Sequence, residues 1–259
     1  MAFPVAKRRF SQNFLRDARV IEEIIEAGDF SSPDAVVEIG PGYGALTHVL
    51  LKKISALTAI EVDRDAVHYL RSNFTADRLT VIEADCLDVS LSRFGVSIRL
   101  LGNLPYHIST PILFHFDAQI EFIQDAIFML QREVVDRIVA TPGSAEYGKL
   151  SITLQLGWEL EKLFDISPEA FQPKPKVWSS ILYMKPRSLP YRVDRPTFQR
   201  IVFGAFSKRR KTLRNALRGL VTNEQFVLAD IDPTQRPETL SVDDYVRSVS
   251  YTHLRAHET

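Results

Sequence analysis

Four residues at the end of an apolar run could together hold an amino-substituted aromatic ring. Asn103, Leu104, Pro105 and Tyr106 follow the run 97–102, which is typical of a buried strand. The Asn103 side chain and a backbone carbonyl fixed by Pro105 could accept the hydrogens of an exocyclic amino group, and Tyr106 offers a face for stacking. Adenine has both features. The turn therefore predicts an adenine-binding position at the carboxyl edge of a sheet, where open α/β proteins bind ligands.

A glycine-rich turn predicts a second ligand-binding segment. Gly40, Gly42 and Gly44 follow the apolar run 35–39 and precede a helical segment, so the backbone there could approach a ligand closely. The dinucleotide fingerprint requires its third glycine at the position that Ala45 occupies. The turn is therefore either a nucleoside site of another kind or a tight turn without a ligand.

Two acidic residues favour the nucleoside site. Glu61 lies 21 residues beyond Gly40, near the end of the second predicted strand, where a carboxylate can accept hydrogen bonds from both ribose hydroxyls. Asp85, just past the third strand, could accept a hydrogen bond from an adenine amino group. Asp63 and Asp65 are better explained as helix-capping residues. An adenosine without a pyrophosphate indicates S-adenosylmethionine.

The elements that must position these residues alternate between strand and helix, which predicts an α/β fold with a doubly wound parallel sheet. Later segments predict antiparallel strands at the edge of that sheet. The predicted parallel strands are 35–39, 56–62, 79–82, 98–101 and 126–130, the antiparallel ones are 158–166 and 178–184, and the helices are 17–27, 45–53, 65–74, 110–116 and 133–140.

The rest of the chain predicts a small all-α domain. A proline-containing linker at 185–190 precedes helical segments at 198–206, 211–221, 224–229 and 242–249. We expect a catalytic domain over 1–189 and a helical basic domain over 190–249. Residues 250–259 lose the helical pattern and are expected to be a disordered tail or one foreign to the natural protein.

Positive charge is concentrated in one segment, although the whole chain is neutral. Residues 185–220 contain eleven Lys and Arg but one acidic residue, Asp194. Such crowding favours binding of a polyanion over a merely solvated face. The predicted RNA-binding residues are Lys208, Arg209, Arg210, Lys211, Arg214 and Arg218.

Other classes of protein and site are disfavoured by the composition. No apolar stretch approaches the roughly 20 residues needed to span a bilayer, and Cys86 has no partner for an internal disulfide, so we expect a cytoplasmic protein that binds no membrane. Cys86 is interpreted as a small buried apolar residue. His253 and His257 lack further ligands, so no metal is expected.

Five motifs occur together in this chain, at 9–15, 38–44, 103–110, 171–177 and 209–215. Through them the chain resembles a known family, the KsgA-type ribosomal RNA small-subunit (16S) adenine dimethyltransferases of the rRNA adenine N6-methyltransferase family. The resemblance runs from Lys7 to Val249. The resemblance implies a Rossmann-like S-adenosylmethionine-dependent methyltransferase sheet and a small helical C-terminal domain. Ser11 and His107 depart from the residues that many relatives have there.

The resemblance also implies roles for individual residues. Tyr106 and Phe171 would sandwich the adenine, while the Asn103 side-chain oxygen and the Leu104 carbonyl, held by Pro105, accept its amino hydrogens. The implied cofactor contacts are Asn13, Leu15, Gly40, Gly42, Glu61, Asp85 and Asn103, with Gly40 beside the methionine part, Glu61 on the ribose, Asp85 on the adenine and Asn103 next to the methyl group.

The expected partner is small-subunit ribosomal RNA within a pre-ribosomal particle, bound by a monomer. Three alternatives stay open at this point. An Erm-type enzyme acting on large-subunit RNA shares the glycine turn and the Asn103–Tyr106 turn, although the 209–215 motif favours the small-subunit enzyme. A non-catalytic ribosome-assembly or transcription factor could keep the same fold. A nicotinamide oxidoreductase is disfavoured by Ala45.

Overall fold

The apolar runs of the sequence form most of the strands of the structure. The computed structural model describes residues 13–208 and 210–253. The strands are β1 (Phe14–Leu15), β2 (Ala35–Ile39), β3 (Leu57–Glu61), β4 (Leu79–Glu83), β5 (Ile98–Asn103), β6 (Ile123–Gln131), β7 (Trp158–Ile166), β8 (Phe171–Gln172) and β9 (Ser179–Pro186).

Seven of these strands form one sheet in the order β4-β3-β2-β5-β6-β9-β7. The pairs β3–β4, β2–β3, β2–β5 and β5–β6 are parallel, and β9 pairs antiparallel with β6. The predicted parallel sheet with an antiparallel edge is thereby confirmed. The strand order reverses between β2 and β5, and such a reversal opens a crevice at the carboxyl ends of the strands. The short strands β1 and β8 form a separate antiparallel pair.

Helices follow most of the strands, and two of the predicted caps are confirmed. The Asp17 carboxylate accepts a hydrogen bond from the Arg19 N–H, and Asp63 accepts one from Asp65. No helix within the described residues is long and apolar enough to cross a membrane. The helices are α1 (Ala18–Ala27), α2 (Ala45–Leu50), α3 (Arg64–Asn73), α4 (Ser109–Asp117), α5 (Arg132–Ile138), α6 (Lys149–Gly157), α7 (Arg195–Ser207), α8 (Leu213–Ala216), α9 (Asn223–Leu228) and α10 (Val242–His253).

The chain divides into two compact units. The first runs to Val135 and resumes over Leu160–Pro186, and the second combines Asp136–Glu159 with the chain from Arg187 onward. This division differs from the expected domain over 1–189, because α6 buries Ile152 and Leu156 in the hydrophobic core of the second unit. The sequence pattern did not predict α6, since six of its nine residues are buried and it has no polar face to mark a helical period.

Two further elements of the second unit differ from the sequence prediction. The helix expected over 211–221 is limited to the four residues of α8, and Gly219 follows it with a φ of 83°. In the opposite direction, α10 continues to His253, so residues 250–253 are helical where a disordered tail was expected. The Ser250 hydroxyl donates to the Val246 carbonyl within this helix. Residues 254–259 lie outside the described residues.

A buried arginine secures the amino-terminal edge of the sheet. The Arg99 guanidinium donates two hydrogen bonds of 2.9 Å to the carboxylate of Asp125 and one of 2.8 Å to Asp34. It also donates to the carbonyls of Asp29 and Gly28, at 3.1 and 2.6 Å. These partners connect β5 and β6 with the segment between α1 and β2. Because every partner accepts a hydrogen bond in a fixed geometry, the cluster fixes the relative positions of three chain segments.

Replacing Arg99 by Met should lower the free energy of unfolding by about 3–5 kcal/mol, because the buried Asp125 carboxylate would lose its counter-charge. Urea denaturation measures this loss. The matched control is Arg64→Met, which removes the solvent-exposed ion pair with Glu83 and should cost less than about 1 kcal/mol. Equal losses in the two variants would contradict the role assigned to the Arg99 cluster.

Candidate active site

A cavity of about 710 Å³ lies where the parallel strands end. Ile39 pairs with both Ile60 and Gly102 across the sheet, so the loops that follow β2, β3 and β5 leave the sheet side by side. The cavity brings together ten of the predicted site residues. These are Asn13, Leu15, Gly40, Gly42, Glu61, Asp85, Asn103, Leu104, Pro105 and Tyr106.

The glycine turn after β2 needs backbone angles that only glycine adopts readily. Gly40, Gly42 and Gly44 have φ values of 64°, 57° and 82°, in the left-handed region that penalises a Cβ atom. A Cβ atom on Gly40 would lie 3.9 Å from the Asn103 carbonyl oxygen. The turn therefore passes close to the strand end that carries Asn103, and it leaves room for a ligand between them.

Glu61 is fixed at the end of β3 by backbone donors. Its carboxylate accepts hydrogen bonds from the N–H groups of Gly42 at 2.9 Å, Val62 at 2.9 Å and Asp63 at 2.8 Å. Burial raises the pKa of Glu61, and these three donors partly oppose that rise. The carboxylate thus holds the glycine turn against β3 while it lines the cavity, where its oxygens can accept further hydrogen bonds from hydroxyl groups.

Glu38 is a cavity-lining residue whose importance the sequence analysis missed. It is fully buried on β2, and its carboxylate accepts a 2.6 Å hydrogen bond from the Thr47 hydroxyl of α2. Burial raises the pKa of Glu38 to about 7, and the charge of Glu61 contributes to the rise. The available signal was a single glutamate within an otherwise apolar strand. Such a residue in a buried strand needs a specific partner.

The side chain of Asn103 is oriented by the segment before β1. Its Nδ2 group donates a 3.2 Å hydrogen bond to the Asn13 carbonyl, so the amide nitrogen is engaged and Oδ1 is left as the acceptor. That oxygen accepts no hydrogen bond from residues 13–208 or 210–253. The backbone of the turn is fixed as well, because the Leu104 N–H donates to Met129 and the Ile108 N–H donates to Pro105, both at 3.1 Å.

Tyr106 is anchored through its hydroxyl group. The Tyr106 hydroxyl lies 2.6 Å from the Ser179 hydroxyl at the start of β9, and burial raises the pKa of Tyr106. The phenol therefore stays protonated at neutral pH. Its ring lines the cavity with one end fixed, which suits a stacking surface and not a proton carrier.

Phe171 is buried opposite Leu15, a residue of the cavity wall. Its side chain is 5% exposed and belongs to the hydrophobic core that contains Leu15 and Ala170, and it is not among the residues that line the cavity. The reason is the pairing of β1 with β8, which places Leu15 opposite Phe171 and buries both. The expected sandwich of an adenine between Tyr106 and Phe171 stays a prediction.

Asp85 and Cys86 form the rim of the cavity beyond β4. The Asp85 carboxylate accepts a 3.0 Å hydrogen bond from the Leu87 N–H and caps the short helical turn that follows. Cys86 is half-buried, and burial raises the pKa of its thiol to about 12. The thiol is therefore neutral at physiological pH, in agreement with its interpretation as a small apolar residue.

Three aromatic rings on the cavity wall were also missed. Phe14 packs edge-on against Tyr43 with ring centroids 5.5 Å apart, and Tyr43 packs against Tyr69 at 5.3 Å. They come from three separate elements, so no spacing in the sequence indicates that they meet. Together they give one side of the cavity an apolar aromatic surface.

The basic residues of the second unit are exposed but do not lie on one long helix. Lys208, Arg210, Lys211, Arg214 and Arg218 all have solvent-exposed side chains, and only Arg214 belongs to α8. The Arg218 guanidinium donates a 3.1 Å hydrogen bond to the Asn215 side chain. Arg209 lies outside the described residues. Among the residues that the structure describes, no group of three His, Cys, Asp or Glu side chains is arranged to hold a metal ion.

The fold and the cavity together define a class of protein. The cavity volume lies within the usual range for small-molecule sites, and its glycine turn and strand-end carboxylate fit an adenosine-containing ligand. The Asn103–Tyr106 turn stands beside that ligand position, where a second, amino-bearing ring can be held. This is the arrangement of an S-adenosylmethionine-dependent methyltransferase.

Comparison with known proteins identifies the family. A model of the family described as ribosomal RNA adenine dimethylase matches residues 5–253. The ribosomal RNA small subunit methyltransferase A of Dechloromonas aromatica strain RCB is 45% identical over 249 residues, which cover 95% of this chain and 98% of that protein. The chain belongs to the ribosomal RNA adenine dimethylase family. It is a methyltransferase whose methyl donor is S-adenosylmethionine, so the oxidoreductase alternative is wrong.

Two solved structures show the same fold. A dimethyladenosine transferase from Plasmodium falciparum has a TM-score of 0.80 at 22% identity and covers 94% of this chain and 98% of its own. The 23S rRNA methyltransferase ErmE has a TM-score of 0.73, also at 22% identity, and covers 93% of this chain and 99% of its own. At this identity the likeness concerns the fold, which these proteins share whatever RNA they modify.

Replacing Glu38 by Gln should make the protein relatively more stable as pH rises. The pKa of Glu38 is raised from 4.5 to about 7 in the folded state, so the folded wild type favours the protonated carboxyl group. Protonation of Glu38 therefore adds to the free energy of unfolding of the wild type below pH 4.5, and this contribution is lost as pH rises through 7. Glutamine does not titrate, so the free energy of unfolding of E38Q minus that of the wild type should increase over this range, by at most about 1.4 kcal/mol per pH unit.

Urea denaturation at a series of pH values measures this difference. The matched control is Glu23→Gln, which makes the same substitution at an exposed position of α1. A pH dependence of E38Q no larger than that of the control would contradict the burial of Glu38.

Proposed function

We propose that the protein dimethylates the exocyclic amino groups of adenines in small-subunit ribosomal RNA, two adjacent adenines in the 3′-terminal hairpin loop, within a pre-ribosomal particle. The substrate class follows from the family and from the name of the Dechloromonas relative. The observation that carries the chemistry is the hydrogen bond from Asn103 Nδ2 to the Asn13 carbonyl, which leaves Oδ1 of this cavity-lining residue as the acceptor. The proposed location is the cytoplasm, where the small subunit is assembled.

On the cofactor side, the proposal assigns a contact to each motif that lines the cavity. Gly40 and Gly42 would lie beside the methionine part, the Glu61 carboxylate would accept hydrogen bonds from the ribose, and Asp85 would accept one from the adenine. Asn13 and Leu15 would complete the cofactor site. When bound, S-adenosylmethionine supplies an electrophilic methyl group. The residues around it have to exclude water and hold the acceptor nitrogen in line with that group.

Asn103 and Leu104 would convert an unreactive nitrogen into a nucleophile. The lone pair of the adenine amino group is delocalised into the ring. If the Asn103 Oδ1 atom and the Leu104 carbonyl each accept one amino hydrogen, the nitrogen can become tetrahedral and direct its lone pair toward the methyl group. Pro105 limits the movement of the Leu104 carbonyl, so both acceptors are in place before the reaction begins. After transfer, the amino nitrogen releases a proton to water.

Tyr106 would hold the ring while Asn103 holds its amino group. A target adenine has to leave its stack before it can enter the cavity, and a fixed aromatic face restores part of the lost stacking energy. The hydrogen bond between the Tyr106 and Ser179 hydroxyls keeps that face in one orientation. The opposite face of the ring is assigned to Phe171, as the family resemblance implies.

Nucleoside mass spectrometry tests the proposal. The protein is incubated with S-adenosylmethionine and unmethylated ribosomal subunits of both sizes, and dimethyladenosine is expected in small-subunit RNA. Dimethyladenosine in large-subunit RNA would instead support the Erm-type alternative, and no modification of either RNA would favour a non-catalytic assembly factor.

Asn103→Ala should slow methyl transfer by about 100- to 1,000-fold, as expected when one transition-state hydrogen-bond partner is lost, with little change in S-adenosylmethionine affinity. Single-turnover kinetics measure the first quantity and calorimetry the second. Asn73→Ala is the matched control, since Asn73 is exposed at the end of α3 and should leave both unchanged. An unchanged transfer rate in Asn103→Ala would refute the role of Asn103.

The exposed cations of the second unit are proposed to bind the RNA backbone. Replacing Arg209, Arg210 and Lys211 together by Ala should weaken RNA binding and reduce the slope of log affinity against log salt by up to about three units, because three fewer counterions are released. Filter binding at several salt concentrations measures the slope. The control is a triple Ala variant of Lys52, Lys53 and Arg93, exposed cations of the first unit. An equal change in both variants would mean that the effect is one of net charge alone.

A further inference from the structure

Trp178 is a large aromatic residue exposed at the edge of the sheet that carries the cavity. Its surface is 44% exposed, and it comes directly before β9. Strand β9 is antiparallel to β6, with Ser179 paired to Gln131, and β6 is parallel to β5, with Met129 paired to Asn103. The start of β9, the end of β6 and the end of β5 therefore lie at one edge. Trp178 stands on the same edge as the proposed catalytic turn.

Arg132 holds Trp178 in place and adds a planar cation to it. The Arg132 N–H donates a 2.9 Å hydrogen bond to the Trp178 carbonyl, and the guanidinium carbon lies 5.7 Å from the centre of the Trp178 ring system. The nearest carboxylate oxygen to this guanidinium belongs to Asp165, at 4.0 Å. Asp165 forms a closer ion pair, 2.8 Å, with Lys162. The charge of Arg132, whose side chain is 48% exposed, is therefore only partly neutralised.

The pair is one residue away from a contact that orients the adenine-stacking ring. Ser179, whose hydroxyl lies 2.6 Å from the Tyr106 hydroxyl, directly follows Trp178. Consecutive Cα atoms are about 3.8 Å apart. Trp178 and Arg132 are therefore near the position where the proposed function places an RNA strand whose base is delivered to Tyr106.

The chemistry of this surface suits an unpaired nucleotide. An indole face stacks on any base, and an adjacent arginine adds a cation–π and phosphate contact. Lys176 and Val177 are also exposed just before Trp178, so the segment combines positive charge with apolar surface. Sequence-specific RNA recognition commonly stacks splayed-out bases on aromatic and arginine planes of this kind.

We propose that Trp178 and Arg132 form a stacking surface for the nucleotide that adjoins the adenine in the cavity. The surface lowers the cost of extracting the target base, because the neighbouring base gains a stacking partner when the RNA stack opens. This inference depends on the proposed function, since it requires an RNA strand at the cavity. It adds a residue pair outside the cavity that recognises the substrate and takes no part in methyl transfer.

Kinetics with unmethylated small ribosomal subunits test the surface. Trp178→Ala should raise the KM for the subunits between about fivefold and a hundredfold, with kcat and the affinity for S-adenosylmethionine unchanged, and Trp178→Phe should recover most of the loss. Arg132→Ala should raise KM by a smaller factor. The matched control is Arg93→Ala, which removes the guanidinium 5.5 Å from the Phe94 ring before β5 and should have no effect.

Two outcomes would overturn the stacking surface. An unchanged KM in Trp178→Ala would show that the ring does not meet the RNA, and a fall in kcat with unchanged KM would mean that Trp178 only supports Tyr106 through Ser179. Wild-type protein that transfers no methyl group to small subunits would be a failure of the proposed function instead.

Fluorescence gives a readout that does not depend on activity. The chain has two tryptophans, and Trp158 is 1% exposed, so nucleobase quenching should come from Trp178. A short oligoadenylate should quench the emission of the wild type but not that of Trp178→Phe, whose remaining tryptophan is buried. Equal quenching of the two proteins would count against the surface, and so would its absence in the wild type. If Trp178→Ala lost the binding of a protein while KM and oligoadenylate quenching stayed unchanged, the surface would bind protein and not RNA.

Discussion

The parallel pairing of β2 with β3 and β5 is the constraint on which the site depends. Strands that run in the same direction end at the same edge, so the glycine turn, Glu61 and Asn103 converge although more than 60 residues separate the first from the last. The reversal of strand order between β2 and β5 keeps the loops above them from closing over this edge. A change in the register of β2 by one residue would turn the Glu38 side chain to the opposite face of the sheet and misplace the glycine turn that follows the strand.

Hydrogen bonds between neighbouring loops convert this convergence into a rigid cavity. The Gly42 N–H donates to Glu61, and the Asn103 amide donates to the Asn13 carbonyl, so each strand end is fixed by a partner from another segment. The charged groups are distributed in a matching way. Arg99 is ion-paired with the carboxylates of Asp34 and Asp125 at the amino-terminal edge, whereas Glu38 and Glu61 lie near each other at the carboxyl-terminal edge without a basic partner among the described residues. The pKa values of Glu38 and Glu61 are raised because burial and nearby negative charge both disfavour ionisation of a carboxyl group.

The sequence predicted best the elements whose residue pattern is set locally, by the residues of the element and those next to it. Strand β2 was predicted with its observed bounds, because its short apolar run is bounded by turn residues, and Asp17 was predicted as a cap because its side chain can accept from the first turn. Helix α6 was missed, because a helix buried on nearly all sides carries no periodic pattern. The helix expected over 211–221 shortened to α8, because basic side chains are compatible with helix and turn alike, and tertiary contacts decide between them.

By itself, the sequence determined the chemistry that the chain can perform: the acceptors of Asn103 and the turn after it, the glycines that permit left-handed angles, and the carboxylate of Glu61. These follow from residue type and from order along the chain, which are local properties. Only the tertiary structure decided which side chains face the cavity. It buried Phe171 through the pairing of β1 with β8 and brought Arg132 beside Trp178 at the start of β9, because such contacts join segments whose separation no local pattern encodes.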